Sequence, residues 1–216
     1  MEAMYALSFS PTVVREAYSM SVKGFVALCA SLQADDWARP GLESWSVRML
    51  VGHTSRSLTT VRDYLAAGAG KPVTLMHAFD YYPAINAQFS SANASEFSAR
   101  AQAAAESLGS DPVRWLETLA RDVFAQVQNT PDDAPLETLV GGMRLIDYLP
   151  SRIFELVVHS ADLALAIGRP YRPDTQASLI AWSVGAAVAA LSPDPMPGLL
   201  ALTGRAPLPQ GYSIVP

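Results

Sequence analysis

The stretch that decides the fold runs from Leu149 to Gly168 and reads LPSRIFELVVHSADLALAIG. Asp147 and Ser151 are candidate N-caps near its start, and Pro150 is tolerated in the first turn of a helix. Gly168 marks the end, because glycine readily adopts the left-handed conformation that terminates helices. These signals predict a helix of about five turns. Its nearly all-apolar composition predicts burial inside a bundle of helices.

Four ionisable side chains interrupt this apolar helix, at Arg152, Glu155, His159 and Asp162. Their spacing places all four on one helix face. Isolated charges are costly in a dry core, so this face must meet water, pair internally or bind a metal. Glu155 and His159 lie one turn apart and offer an oxygen and a nitrogen to a shared cation. The internal alternative pairs Glu155 with Arg152 and His159 with Asp162.

Length and composition limit the classes of function. The 216 residues, half of them apolar and only 16% charged, favour a single domain over residues 1–216 with a large core. A formal net charge of −5 and a pI near 5.1 argue against nucleic acid or an anionic membrane as a partner. The single cysteine, Cys29, excludes a disulfide framework and a cysteine-based zinc site. The first ten residues lack the basic flank of a signal peptide, so we expect a cytoplasmic protein.

Helical periodicity recurs along the rest of the chain. It predicts helices at Pro11 to about Leu32, Ser46 to Ala66, Pro83 to Leu108, Pro112 to Val127 and Asp174 to Leu191. The pair Gly141-Gly142 between two apolar runs predicts a β-hairpin with the glycines in its turn. The tail from about residue 192 is rich in proline and glycine, with a short extended piece expected around 199–202. Together these features predict an all-α antiparallel bundle with short irregular or hairpin additions.

Two of the three histidines, His53 and His159, fall inside predicted apolar helices. Gly52 precedes His53, and because glycine costs about 1 kcal/mol in a helix it indicates a close approach of backbone or ligand. With Glu155, the two histidines make a set of three ligands that leaves a fourth position open, as in catalytic zinc sites. Glu-x-x-x-His is also common by chance, so spacing alone leaves the metal site and the ion-pair ladder both open. The third histidine, His77, lies in a stretch typical of the surface.

Two motifs resemble those of a known metal-dependent family. The segment WSVRMLVGH, from Trp45 to His53, resembles the first metal motif of the DinB-like, mycothiol-dependent maleylpyruvate isomerases. The segment MRLIDYLPSRIFELVVHSADLA, residues 143–164, resembles the second motif, and LALTGR at 200–205 is similar to the family's ending. The resemblance implies a DinB-type four-helix bundle. It also implies a divalent metal, usually zinc, held by His53, Glu155 and His159.

The resemblance further implies mycothiol as the cosubstrate. A zinc ion with an open position stabilises a thiol as thiolate, whereas a free thiol with a pKa of about 8.5 is mostly protonated at neutral pH. The thiolate would attack an electrophilic small molecule, giving transfer or isomerisation. Asp162 is expected to orient a ligand imidazole. Arg152 either binds an anionic substrate group or pairs with Glu155, and we favour the pairing.

Two other functions fit the same residues. A zinc-bound water would make a hydrolase, and a metal that only stabilises the fold would make a non-catalytic bundle whose apolar faces serve a homodimer. The family's isomerases carry an additional α+β domain that contributes to the substrate site. Here a short tail follows the last predicted helix, so the expected chemistry is kept general: a thiol transferase or isomerase.

Overall fold

The computed structural model describes residues 9–68, 70–89 and 94–215; at residues 89 and 94–97 it describes the backbone alone. These residues form eight α-helices and one β-hairpin. The helices are α1 (Pro11–Ala30), α2 (Val47–Ala67), α3 (Tyr81–Phe89), α4 (Ala94–Ser107), α5 (Pro112–Gln128), α6 (Leu145–Ile167), α7 (Thr175–Ala190) and α8 (Met196–Leu202). The strands are β1 (Pro135–Thr138) and β2 (Gly141–Arg144). Two short 3₁₀ turns span Ala34–Ala38 and Ala78–Asp80.

Four of the helices form a closed bundle. Around it, α1 packs on α6, α6 on α2, α2 on α5 and α5 on α1. Helix α4 packs on the outside of α2, and α7 packs against α1 and α6. The centre is filled by large apolar side chains at most 1% exposed, among them Tyr18, Phe25, Leu50, Leu116 and Ile153. The predicted all-α bundle is therefore confirmed. Within the described ranges, no helix has the length and apolar character needed to cross a membrane.

Side-chain caps set most of the helix starts that the sequence predicts. Ser10 and Ser46 accept hydrogen bonds from backbone amides in the first turns of α1 and α2, and Asp111 and Asp174 do the same for α5 and α7. These caps satisfy amides that have no partner within the helix. The described parts of the predicted helix at 83–108 belong to α3 and α4, and residues 90–93 lie outside the described residues.

Helix α6 begins at Leu145, a turn earlier than predicted, so Pro150 lies inside it and Ser151 is not its cap. The loop before β1 supplies the reason. The amides of Leu145 and Ile146 donate to the carbonyls of Ala134 and Asp132 at 2.9 and 3.1 Å, which satisfies the first donors of the helix without a side-chain cap. Strand β2 consequently leads into α6 with no intervening residue.

The hairpin is present, but its turn is Leu139-Val140, so the prediction that the two glycines form the turn is wrong. Gly141 and Gly142 open β2 instead. The carbonyl of Gly142 accepts hydrogen bonds from the amides of Thr74 and Leu75 at 3.0 and 3.1 Å. A Cβ on Gly142 would overlap the backbone carbonyl of Pro72. Glycine is required here because residues 72–75 run directly against the hairpin.

The tail also departs from the prediction. Residues 199–202 are helical rather than extended, as the second half of α8. Pro197 lies in the first turn of α8, where its missing amide costs no hydrogen bond and its fixed φ suits a helix. Gly204 follows the helix with φ of 69°, the left-handed conformation typical of a helix end. A proline-rich composition therefore does not exclude a short helix.

Candidate metal centre

Helices α2 and α6 meet along a seam of polar side chains. At one end of the seam the hydroxyl of Tyr148 donates to the hydroxyl of Thr60 at 2.9 Å. At the other end the rings of His53 and His159 meet edge to face, with centroids 4.9 Å apart. Because the later residue on α2 meets the earlier residue on α6, the two helices are antiparallel. The polar stripe predicted on α6 therefore faces His53, from the other predicted metal motif.

Three potential metal ligands converge at the histidine end of the seam. One nitrogen of His53, one nitrogen of His159 and one carboxylate oxygen of Glu155 all lie within 4.8 Å of one another. The Nε2 atom of His159 is 3.2 Å from Oε2 of Glu155. The side chains of His159 and Glu155 are 15% and 21% exposed, so the cluster is half-buried and remains reachable from solvent.

Asp162 holds the second nitrogen of His159. Its Oδ2 atom lies 3.0 Å from Nδ1 of His159, on the side of the ring away from Glu155. A proton on Nδ1 satisfies this hydrogen bond and leaves Nε2 free to bind a cation. A carboxylate behind a ligand histidine is the usual arrangement at zinc sites, where it fixes the ring orientation. The contact of Asp162 with His159 follows both from a role in orienting a ligand and from the internal ion pair that the sequence offers as the alternative.

The three candidate ligands differ in charge. Burial, followed by the charge of His159, lowers the pKa of His53 to about 4, so this ring is neutral at pH 7. Burial also lowers the pKa of His159, but the hydrogen bonds with Asp162 and Glu155 outweigh it and raise the pKa to about 9. Burial raises the pKa of Glu155, and the hydrogen bond and charge of His159 outweigh that effect, bringing it to about 2. Without a metal, the protonated ring of His159 stabilises the cluster through its hydrogen bond with Glu155.

The donor set fits a divalent metal. Ligands that share one tetrahedral zinc ion lie roughly 3.3 Å apart, given metal–ligand bonds of about 2.0–2.1 Å. The pair formed by Glu155 and His159 already has this spacing, at 3.2 Å. The widest separation in the set, within 4.8 Å, would have to close by about 1–1.5 Å for all three atoms to hold one zinc ion of that geometry.

A family comparison agrees with this geometry. The family model described as the mycothiol maleylpyruvate isomerase N-terminal domain matches residues 21–164, a range that contains all three candidate ligands. The chain belongs to this family. The family is mycothiol-related and metal-binding, with a DinB-like helical bundle. No curated protein and no solved structure matches the chain significantly.

Gly52 and Trp45, which precede the candidate ligand His53 in the chain, restrict the position of its ring. A Cβ on Gly52 would lie 2.5 Å from the backbone nitrogen of Ala105, so α4 packs on α2 directly beside His53. The close approach predicted at Gly52 is therefore confirmed, and it is to backbone. Trp45 packs its ring 4.8 Å from the ring of His53 and donates from Nε1 to the hydroxyl of Ser98 at 3.4 Å. These contacts restrict the orientations open to the His53 imidazole.

Arg152 does not pair with Glu155, contrary to the predicted pairing: within the described ranges, no carboxylate lies within 4.0 Å of its guanidinium. Its Cζ atom lies 4.9 and 4.8 Å from the ring centroids of Tyr81 and Tyr148. Long helical side chains lean toward the N-terminus of their helix, and Tyr148, one turn earlier, meets the guanidinium there. The Nε atom donates to Ser151 at 3.0 Å.

Two further side chains lie near the cluster: Arg56, which the sequence analysis does not single out, and Tyr82. Arg56 lies one turn after His53 on α2, and its charge contributes to the lowered pKa of that histidine. Its spacing from His53 could have revealed it. Tyr82 is 2% exposed, its hydroxyl donates to the carbonyl of Ser151 at 3.2 Å, and its pKa is raised by burial and by the charge of Glu155. Only tertiary packing brings Tyr82 here, so no sequence spacing indicates it.

His77 lies apart from the cluster. Its ring stacks on Phe79 with centroids 4.8 Å apart, beside a cleft of about 250 Å³ that Pro11 and Ile180 also line. His77 therefore takes no part in the candidate metal site.

Proposed function

We propose that this chain is a metal-dependent thiol transferase or isomerase that uses mycothiol to attack a small electrophile. The proposed ligands are His53, Glu155 and His159, and the proposed metal is zinc. One observation carries the proposal: the two family motifs, far apart in the chain, bring their three donor atoms within 4.8 Å of one another. Two imidazoles and one carboxylate form a set that zinc favours in catalytic sites.

Each residue of the cluster has a separate task. When bound, the metal supplies a Lewis acid that lowers the pKa of a thiol and so provides a nucleophile at neutral pH. Asp162 holds the Nδ1 proton of His159, which keeps Nε2 directed at the shared centre. Trp45 limits rotation of the His53 ring. The side chains of Glu155 and His159 are 21% and 15% exposed, and this exposed edge is the proposed entry for the thiol and the electrophile.

Three wider features belong to the same proposal. We place the protein in the cytoplasm, where low-molecular-weight thiols stay reduced. Residues 1–216 are proposed to act as one domain. A homodimer is proposed on the face of α7, because Leu179 and Trp182 are 50% and 61% exposed there and no charged residue lies in Thr175–Ala190.

The ligand assignment is tested by metal content. Elemental mass spectrometry on purified protein loaded with zinc and then dialysed should find close to one zinc per chain. His53→Ala and His159→Ala should each lose the metal, because two protein ligands hold zinc far less tightly than three. His77→Ala is the matched control and should keep it. Equal zinc content in the wild type and the three variants would contradict the assignment of His53 and His159 as ligands.

The chemistry is tested by the need for a thiol. With 1-chloro-2,4-dinitrobenzene as a probe electrophile, the zinc-loaded protein should form the thioether only when mycothiol is present. A hydrolase would consume ester probes with no thiol. A purely structural metal would show no turnover of either probe, while His53→Ala would lower the melting temperature. The proposed thiol chemistry fails if either of these last two patterns is found.

A further inference from the structure

Tyr82 lies beside Glu155, although it belongs to a different helix. It is the second residue of α3 and is only 2% exposed. Its hydroxyl donates to the carbonyl of Ser151 at 3.2 Å. Ser151 lies one turn before Glu155 on α6, and long side chains of a helix lean toward the N-terminus of that helix. The side chain of Glu155 therefore covers the turn that the Tyr82 hydroxyl contacts.

A hydrogen bond joins Tyr82 to the Glu155 carboxylate. Burial and the charge of Glu155 raise the pKa of Tyr82, the charge of Arg152 opposes them, and the hydrogen bond with Glu155 raises the pKa further. A phenol that donates its proton to a carboxylate holds that proton more firmly, which is the direction of this shift. The Tyr82 hydroxyl thus lies between a backbone carbonyl and the carboxylate of a candidate metal ligand.

The ring of Tyr82 is held in place by other aromatic rings. It meets the ring of Phe154 at a centroid distance of 5.3 Å and the ring of Tyr81 at 5.8 Å, both edge to face. The turn Ala78–Asp80, which leads into α3, packs on α6. Because these contacts fix the ring, they also fix the hydroxyl beside Glu155.

Glu155 meets two partners of different charge. Its Oε2 atom lies 3.2 Å from Nε2 of His159, where the candidate ligands converge. Across the described ranges, His159 is the one basic side chain within 4.0 Å of this carboxylate. The hydroxyl of Tyr82 is neutral, so it adds a donor to the carboxylate without adding a charge that repels a cation. Such a contact can persist when a metal binds.

We propose that Tyr82 is a positioning residue of the metal site, which occupies Oε1 of Glu155 and leaves Oε2 as the single metal-binding atom of that side chain. The inference rests on the proposed metal ligands and concerns which ion they select. A carboxylate that binds through one oxygen suits zinc, which takes few ligands. A carboxylate free to use both oxygens suits cations that take more oxygen ligands, such as manganese. Tyr82 would therefore favour zinc over manganese.

The zinc and manganese affinities of Tyr82→Phe test this selection. The variant keeps the ring and removes only the hydroxyl. Its zinc affinity, measured by competition with a chelator, should fall by about tenfold or more, as expected when a metal ligand loses its hydrogen-bond partner. Its manganese affinity should fall less, so the preference for zinc over manganese should shrink. Equal losses for the two ions, or no loss for zinc, would overturn the proposal.

Tyr18→Phe is the matched control. Tyr18 is 1% exposed, and its hydroxyl donates to the carbonyl of Ser57 at 3.0 Å, so this variant also removes a buried hydroxyl from a backbone carbonyl. Both variants should unfold at a lower urea concentration than the zinc-free wild type. Only Tyr82→Phe should change the ratio of zinc to manganese affinity. The same change in Tyr18→Phe would assign the effect to lost stability and overturn the role of Tyr82.

A double-mutant cycle shows whether Tyr82 acts through Glu155. In the background of Glu155→Ala, Tyr82→Phe should cause no further loss of zinc affinity, because the carboxylate that it positions is absent. In urea unfolding of the zinc-free protein, Tyr82→Phe should likewise be less destabilising in that background. Additive losses of zinc affinity would show that Tyr82 does not act on the metal through Glu155, which would contradict the proposal.

Failure of this inference is distinguishable from failure of the metal site. If the wild type binds zinc and Tyr82→Phe keeps the full zinc affinity, Tyr82 has no positioning role and the metal site stands. If the wild type binds no zinc, the proposed ligands fail, and the role of Tyr82 at a metal fails with them. Coupling between Tyr82 and Glu155 in the zinc-free protein would then assign their hydrogen bond to the stability of the fold alone.

Discussion

The two ends of the seam between α2 and α6 hold polar side chains in different ways. At one end Tyr148 is completely buried, and its hydroxyl donates to Thr60 at 2.9 Å, so the pair satisfies itself. At the other end His53 has no hydrogen bond within the described part of the chain, and its neighbour His159 is 15% exposed. A polar pair that stabilises the fold is closed, whereas a group that binds a ligand keeps lone pairs free and solvent near.

The largest expected effect is the pH dependence of zinc binding. Because the pKa of His159 is raised to about 9, each zinc ion that binds at lower pH must displace a proton. Zinc affinity should therefore rise by about tenfold per pH unit between pH 6.5 and 8.5, measured by competition with a chelator at each pH. The stability of the metal-free protein should depend on pH in the opposite direction. The ion pairs of His159 stabilise the metal-free fold fully below about pH 6.5, and this stabilisation is lost as the pH rises through 9. A zinc affinity that stays constant between pH 6.5 and 8.5 would contradict the predicted displacement of a proton by zinc.

Asp162→Asn should weaken zinc binding by about 10–100-fold at pH 8.5, because the hydrogen-bond partner of a ligand histidine raises its basicity. At pH 6.5 the loss should be smaller, since removing the carboxylate also lowers the pKa of His159 and eases proton displacement. Asp122→Asn, an exposed position on α5, serves as the control. An equal loss at both pH values would show that Asp162 does not set the pKa of His159.

Gly52→Ala should lower the free energy of unfolding by about 1–2 kcal/mol, because the cost of overpacking exceeds the gain in helix propensity. The added Cβ would lie 2.5 Å from the backbone of Ala105. Gly24→Ala in α1 is a matched control, because a Cβ there meets no atom within 4 Å. It should instead stabilise the protein by about 0.5–1 kcal/mol. Urea unfolding measures both, and stabilisation by Gly52→Ala would mean that α4 does not pack tightly at His53.

The smallest effect is expected at the closed end of the seam. Tyr148→Phe removes one hydrogen bond and should cost about 1 kcal/mol of unfolding free energy. Thr60 still donates to the carbonyl of Arg56 at 2.6 Å, so its hydroxyl keeps a partner. Zinc content should match that of the wild type. A loss of zinc in Tyr148→Phe would show that the two ends of the seam are coupled.

Local signals predicted most of the fold. Ser10 with Pro11, and Asp111 with Pro112, mark true helix starts because caps and first-turn prolines act through neighbouring residues alone. The start of α6 escaped prediction because distant carbonyls of the preceding loop satisfy its amides. The prediction that the glycines of β2 form the turn was wrong because a distant segment again decides the structure. These glycines accommodate residues 72–75, which lie outside the hairpin sequence.

The candidate site was also predictable only where local signals decide it. The stripe of Glu155, His159 and Asp162 follows from helical periodicity, and so the sequence predicts which side chains share a face. Which side chains oppose that face depends on how α2 docks on α6. For that reason the partner expected for Arg152 was wrong: its guanidinium meets aromatic rings, one of them from α3.

The direct connection between β2 and α6 makes this part of the chain intolerant of length changes. The hairpin is fixed against residues 72–75, and Leu145 follows Arg144 with no residue to absorb a shift. One residue inserted at this junction would rotate α6 by about 100° about its axis, since a helix has about 3.6 residues per turn. Glu155 and His159 would then leave the face that meets His53. Natural or engineered insertions should therefore be confined to connections such as residues 169–173, on the far side of the candidate metal ligands.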